Sequence, residues 1–342
     1  MAKHPRSRAK PTPRKKAKRG SLLGSAFIRV TTRDEEVSYF TAQGVAVVGK
    51  SEEVLKRLSA NLSGRVQLVF TSPPFPLNRK KKYNNLQGDA YKHWLADYAP
   101  LLTSLLTPTG AIVMEVGNAW EPGEPVMSTL ALEALFAFKE KGHLKLCQEF
   151  IWHNPAKLPT PAQWVTVERI RVKDSFTRLW WMSPVSRPKA DNRNVLVPYS
   201  ASMTSLLRRQ RYNSGRRPSE HQIGAESFLS NNGGAIPPSL LSIPQEEESF
   251  PESVLIGSNT SSNDPYSLYC RAHGLSPHPA RMPRQLADFF IALCTDAGDL
   301  VLDPFAGSNT TGEACERAGR PWLAVEANAE YASAGASRFR KL

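Results

Sequence analysis

Apolar residues fall along this chain in two rhythms. Unbroken runs at Val45 to Val48 and Val66 to Phe70 are short, β-branched and flanked by polar residues, as strands covered on both faces must be. Between them, from about Glu52 to Leu62, apolar positions recur at helical spacing. The alternation continues with a helix near Tyr91 to Leu106, a strand at Ala111 to Val116, a helix from about Met127 to Lys141 and a strand at Cys147 to His153. It resumes late in the chain: a helix from Pro283 to about Thr295, a strand at Leu300 to Leu302, a Gly/Ser turn, a helix to Ala318, a strand at Trp322 to Val325 and a last helix. Such a pattern predicts an α/β fold, a doubly wound, mostly parallel Rossmann-like sheet with helices on both faces. There is no internal repeat.

The rhythm is lost between about Ser186 and Pro277, where Ser, Asn, Pro, Gly and Arg dominate. This stretch reads as a smaller, loop-rich region of 186–277 set between core segments 21–185 and 278–342, with 1–20 as a separate tail. It carries Arg208, Arg209, Arg211, Arg216 and Arg217.

Charge sharpens the picture. The 342 residues have a formal net charge of +13, and residues 1–20 hold nine Lys or Arg with no acidic residue, leaving about +4 for the rest. A tail of that composition cannot bury enough surface to fold, yet it can neutralise phosphates. The arginines of the insert are the candidate DNA contacts, on base edges or phosphates. Four scattered cysteines without a C-x-x-C pair argue against zinc and disulfides and imply a reducing compartment. No apolar run reaches the length of a membrane span, so a cytoplasmic, nucleoid-associated protein is expected.

The turn Leu300-Val301-Leu302-Asp303-Pro304-Phe305-Ala306-Gly307-Ser308-Asn309-Thr310-Thr311 joins a strand to a helix through small residues, letting backbone approach a ligand where α/β sheets bind cofactors. Glu326 lies 23 residues after Asp303, at the end of the next strand, where an acidic acceptor suits a ribose diol. Asp303, Phe305, Gly307, Ser308, Asn309, Thr310 and Glu326 are the candidate cofactor residues.

The strand Val66 to Phe70 leaves the sheet through Thr71-Ser72-Pro73-Pro74-Phe75. Two prolines hold this loop's carbonyls nearly fixed. An exocyclic amino group of a base is a poor nucleophile because its lone pair is delocalised, and it needs hydrogen-bond acceptors. The Ser72 hydroxyl and the Pro73 carbonyl supply them, Pro74 stiffens the corner, and Phe75 can stack on a base turned out of the duplex. Glu115 is the candidate proton acceptor. Methylation at a cytosine ring carbon would need a nucleophilic cysteine, commonly in a Pro-Cys pair, and there is none. Gly44 to Ser51 matches G-x-x-x-x-G-K-S by letter, but the residues between its glycines are strand-like and no acidic residue follows for magnesium.

The order of these motifs, Ser-Pro-Pro-Phe preceding Asp-Pro-Phe-x-Gly-Ser by over 200 residues, resembles the beta-class amino-methyltransferases of restriction-modification systems. Likeness to one branch of that family runs through most of residues 38–340, including Lys157-Leu158-Pro159 and Ile170 to Asp174, and His278 to Arg281 resembles the family's segment beside the methionine end of the cofactor. The resemblance implies S-adenosylmethionine as methyl donor, Phe70 and Thr71 as further cofactor contacts, and double-stranded DNA as substrate. It also implies a monomer protecting a short palindrome such as CAGCTG from a cognate endonuclease. Serine at position 72 favours N4 of cytosine, where aspartate usually accompanies N6 of adenine. Adenine methylation and an inactive DNA-binding relative are the rival readings. Asn309 replaces the commoner Gly of Gly-Ser-Gly-Thr-Thr, Lys50 stands where Asp is frequent, and Glu115 where Asp is the nearer match.

Overall fold

A computed structural model describes residues 36–75, 86–154, 157–212, 215–216, 218–224, 226–242 and 264–339. The basic tail and Arg217 lie outside these residues. The elements in chain order are β1 (Val37–Phe40), β2 (Gly44–Val48), α1 (Ser51–Leu62), β3 (Val66–Thr71), α2 (Gly88–Leu105) and β4 (Leu106–Val116). Next come the small pair β5 (Ala119–Trp120) and β6 (Met127–Ser128), then α3 (Leu130–Lys141), β7 (Lys145–His153), β8 (Phe176–Ser183) and α4 (Ala201–Arg209). After β9 (Gly215–Arg216), β10 (Gln222–Ile223) and β11 (Leu240–Ser242) the chain ends through α5 (Pro265–Ala272), α6 (Arg284–Cys294), β12 (Leu300–Asp303), α7 (Thr310–Ala318), β13 (Trp322–Glu326) and α8 (Ala329–Gly335).

Nine strands share one sheet in the order β1-β2-β13-β12-β3-β4-β8-β7-β11. The pairs β2/β13, β13/β12, β12/β3, β3/β4 and β7/β11 are parallel, while β1 and β8 run antiparallel to their neighbours. The fold is therefore a doubly wound, mostly parallel α/β sheet. Strand alternation divides the core in two. Leu300 and Leu302 of β12, with Leu323 and Val325 of β13, face the layer of α1, α2 and α3. Val301, Trp322 and Ala324 point the other way, toward α6 and α7.

One junction in this sheet decides where chemistry can occur. From β3 the chain crosses through α2 to β4 on one side, whereas from β12 it crosses through α7 to β13 on the other. The two crossovers lie on opposite faces, so a crevice opens at the carboxyl ends of β3 and β12, as at any topological switch point. Segments from opposite ends of the sequence meet there.

Several elements depart from the sequence reading. β8 is a central strand, and it escaped detection because Thr177, Arg178 and Ser183 interrupt its apolar residues and it lacks a parallel-strand run. The region after Ser186 holds two helices, α4 and α5, each capped by a side chain: Ser200 accepts from the Met203 amide and Asp264 from those of Tyr266 and Ser267. It also returns to the core, since β11 extends the sheet beside β7.

Candidate active site

Both proline-rich loop and glycine turn leave the sheet at this crevice. Thr71, the last residue of β3, donates from Oγ1 to Asp303 Oδ1 at 3.0 Å, although 232 positions separate them. Asp303 is 5% exposed and also accepts from Thr311 Oγ1 at 2.5 Å and the Phe305 amide at 3.1 Å. Burial pushes its carboxyl up to about 6, against those hydrogen bonds, and Glu326 adds to the rise. Both oxygens are committed to the protein, so Asp303 serves first as the rivet of the two loops.

The glycine turn is built around backbone. Gly307 has φ 54, and a Cβ there would lie 3.1 Å from Nε2 of His278. Its amide donates to Glu326 Oε2 at 2.8 Å, and Oε1 of the same carboxylate accepts from the Asn328 amide at 2.8 Å. Burial raises the Glu326 carboxyl, and the backbone amides oppose the rise. The Phe305 ring, half-buried, rests on Trp94 and Tyr98 at 5.7 and 5.6 Å. Ser308, Asn309 and Thr310 are buried, and the first two are tied inward. Asn309, itself left-handed at φ 58, caps α7 by accepting from the Gly312 amide and donates to the Tyr39 hydroxyl at 2.8 Å. Ser308 Oγ and its carbonyl both accept from Arg338. These side chains shape the turn from behind.

Phe70 also differs from expectation. Its ring is fully buried and packs on Phe290 of α6 at 5.6 Å, because strand alternation turns it away from Thr71. Only its backbone borders the crevice.

The catalytic candidates do converge. Glu115, near the end of β4, is 4% exposed and accepts hydrogen bonds from the Ser72 hydroxyl and from Thr177 Oγ1, the latter at 3.1 Å. Burial raises its carboxyl above the usual range, opposed by those two hydroxyls and by the charge of Lys157. A serine hydroxyl that donates to a carboxylate keeps its lone pairs free to accept. Phe75 lies beside them: a Cβ on Gly117 would come 2.5 Å from its ring, so only glycine leaves room.

Sequence reasoning missed the support around this group. Lys157 Nζ donates to Asp174 Oδ2 at 2.7 Å, Asn118 Nδ2 to Asp174 Oδ1 at 3.0 Å, and Arg178 NH1 to Asn118 Oδ1 at 2.6 Å. Asp174 and Thr177 become visible only once β8 is placed next to β4. Of the candidate DNA contacts, Arg208 and Arg209 close α4, and they and Arg211 are exposed, while Arg216 lies in the two-residue strand β9. Arg209 Nε donates to the Ser205 carbonyl within its own helix at 3.4 Å. Among the described residues no cluster of His, Cys, Asp or Glu is arranged to hold a metal, and no helix is long and apolar enough to cross a membrane.

Comparison with known proteins agrees with this geometry. Residues 66–337 match the DNA methylase family. The chain is 40% identical over 304 residues to the Type II methyltransferase M.PvuII of Proteus hauseri, spanning 88% of this chain and 85% of that one. The solved PvuII DNA methyltransferase, titled cytosine-N4-specific, is similar at a TM-score of 0.68 and 34% identity, over 89% of each chain. A shorter likeness, 43% over 62 residues, covers 18% of this chain and 21% of the DNA adenine methyltransferase YhdJ of Escherichia coli (strain K12). Since the match embraces both loops and the strands that join them, this chain belongs to the DNA methylase family, enzymes that move a methyl group from S-adenosylmethionine to an amino nitrogen of a DNA base.

Proposed function

We propose that the chain methylates N4 of cytosine within a short palindrome of double-stranded DNA, as a monomer in the cytoplasm at the nucleoid, and that it protects that site against a cognate restriction endonuclease. The observation that carries the reading is the Ser72–Glu115 hydrogen bond at the mouth of the crevice.

The crevice suits a nucleoside cofactor on its own evidence. Gly307 leaves a cradle that a side chain would fill, Glu326 presents a carboxylate at the end of β13, and Phe305 offers a supported ring. Glu326 would accept from the ribose hydroxyls, and Phe305, Gly307 and the strand end at Phe70 and Thr71 would flank the remainder. When bound, S-adenosylmethionine supplies an electrophilic methyl on sulfonium.

The protein's own contribution is positioning and proton handling. Ser72 Oγ and the Pro73 carbonyl accept from the amino hydrogens of cytosine and turn the nitrogen lone pair toward the turn at Phe305 to Gly307. Phe75, seated against Gly117, stacks on the extruded ring. After transfer the amine must shed a proton, and Ser72 is bonded to a buried acceptor, Glu115. The two groups act as one relay: the carboxylate draws the hydroxyl hydrogen, strengthening Ser72 as an acceptor. The arginines of the 186–277 region, the exposed Arg208, Arg209 and Arg211 together with Arg216 and Arg217, then hold the duplex.

The test is to express the chain in cells lacking DNA methylation and to map modified bases in a plasmid. N4-methylcytosine confined to one palindrome, with CAGCTG the first to inspect, supports the proposal. N6-methyladenine at the mapped sites would refute it.

A further inference from the structure

The connection between β7 and β8, residues 157–173, leaves the sheet at the same end as Ser72 and Glu115 and presents unusual chemistry. Leu158 is 72% exposed, Val167 68%, Ile170 48% and Val172 87%. Single exposed aliphatics need no explanation, but four within 17 residues put an unusual amount of apolar area into water.

These side chains do not stand on a slack loop. Trp164 packs on Trp120 of β5 at 5.7 Å, and its carbonyl accepts from the Ile170 and Arg171 amides. Arg171 Nε donates to the Pro125 carbonyl at 2.7 Å, and Gln163 donates to Glu168 at 2.7 Å. At the base of the loop Lys157 and Asp174 close on each other, and Asp174 is bonded to Asn118, two residues beyond β4. The aliphatic tips are thus held out into solvent by a braced frame whose root adjoins the catalytic carboxylate. Arg169, Arg171 and Lys173 lie among them, against Glu168 alone. Arg169 makes no hydrogen bond or ion pair with the described residues.

A polyanion with an apolar interior meets both requirements, and duplex DNA is one. Extracting a base opens the stack, and apolar side chains placed into such openings stabilise the distorted helix. We infer that the 157–173 loop is a second duplex-docking surface, separate from the arginine-bearing region, with Leu158 and Val172 packing against the base stack beside the extruded base and Arg169 gripping phosphate. The inference rests on the assignment of this chain as a DNA methylase.

The test uses the full chain with Leu158→Ser and Val172→Ser combined, and separately with Arg169→Ala. Most of each side chain is already in water, so folding and S-adenosylmethionine affinity should hold. The double substitution is expected to weaken binding of a duplex containing the target site about tenfold. Transfer to a paired target should slow, and recover within a few-fold when a bulky pyrene nucleotide replaces the base opposite and pushes the target out. Arg169→Ala should reduce the salt slope of duplex binding by about one. Unchanged duplex affinity and salt slope would overturn the inference. So would a fall in sedimentation coefficient of the double variant, which would make the surface a contact between two copies of the chain. Duplex binding requires no turnover, so a wild-type protein that binds DNA without methylating it counts against the proposed function and not against this surface.

Discussion

Thr71 and Asp303 are joined by a 3.0 Å hydrogen bond across 232 residues, and that bond ties the proline-rich loop after β3 to the glycine turn after β12. Two motifs far apart in the chain act together because β3 and β12 are neighbours in the sheet. Thr71→Val keeps the shape of the side chain and removes the donor to a buried carboxylate. The expected cost is about 1.5 to 3 kcal/mol of stability. Thermal unfolding and calorimetric cofactor titration should show both a lower Tm and weaker S-adenosylmethionine binding.

Asp303 carries a pH signature. Its carboxyl is raised from the model-compound value of 3.8 to about 6 in the folded protein. Protonation is then easier folded than unfolded, so the group favours folding below pH ~4, and that contribution is lost as pH rises through about 6. Asp303→Asn has no such titration. The Tm of the wild type relative to this variant should fall between pH 4 and pH 6.5 and level off above, and a flat difference would show that Asp303 is not the group responsible.

Much of this architecture was legible before any coordinates. Parallel strands buried on both faces announce themselves as Val-rich runs, which is why β2, β3, β12 and β13 were readable and the crevice between β3 and β12 could be expected. β8 was not, because an antiparallel strand carrying Thr177, Arg178 and Ser183 lacks that signal. Without β8 next to β4, neither Thr177 nor Asp174 can be connected with Glu115. Phe70 shows a different limit: its place in a motif suggested a contact, and strand alternation buries its ring under α6 and leaves only its backbone at the crevice. Ser308 and Asn309 likewise belong to the motif, yet they bond inward to Arg338, Tyr39 and the Gly312 amide.

In the proposed mechanism Glu115 sets the acid limb of activity. A proton acceptor must be ionised, and burial raises this carboxyl, so the rate should fall with decreasing pH at a higher pH than for a free glutamate. Lys157 opposes the rise, while Asp174 pairs with that lysine and Arg178 holds Asn118 against Asp174. Lys157→Met should therefore move the acid limb upward, and Glu115→Gln should lower kcat roughly 100-fold or more with little change in KM for DNA. A pH profile of single-turnover transfer distinguishes these outcomes from general loss of fold.

Gly117 is a steric requirement for Phe75. Its replacement by alanine puts a methyl 2.5 Å from the ring and forces Phe75 out of its seat. Transfer should drop by about 100-fold, the scale expected for an ångström of misplacement at a reacting centre. Cofactor affinity, measured by calorimetry, should stay near wild type.

On the proposed function, the arginines at the end of α4 and just beyond it can be sorted into grip and reading. Replacing Arg208, Arg209 or Arg211 singly by alanine should weaken all DNA alike and lower the salt slope by about one where the contact is to phosphate, or relax one base position of the target where it is to a base edge. Binding titrations against site variants over a range of salt resolve each residue. No change in either quantity for all three would remove this segment from the interface.

The most direct measurement is nucleoside analysis of a duplex incubated with the purified chain and methyl-labelled S-adenosylmethionine, run beside Ser72→Ala and Glu115→Gln. Label in N4-methylcytosine with the wild type, and its loss by about 100-fold in both variants, is the expected result. Label in N6-methyladenine, or full activity without Ser72, would contradict the account.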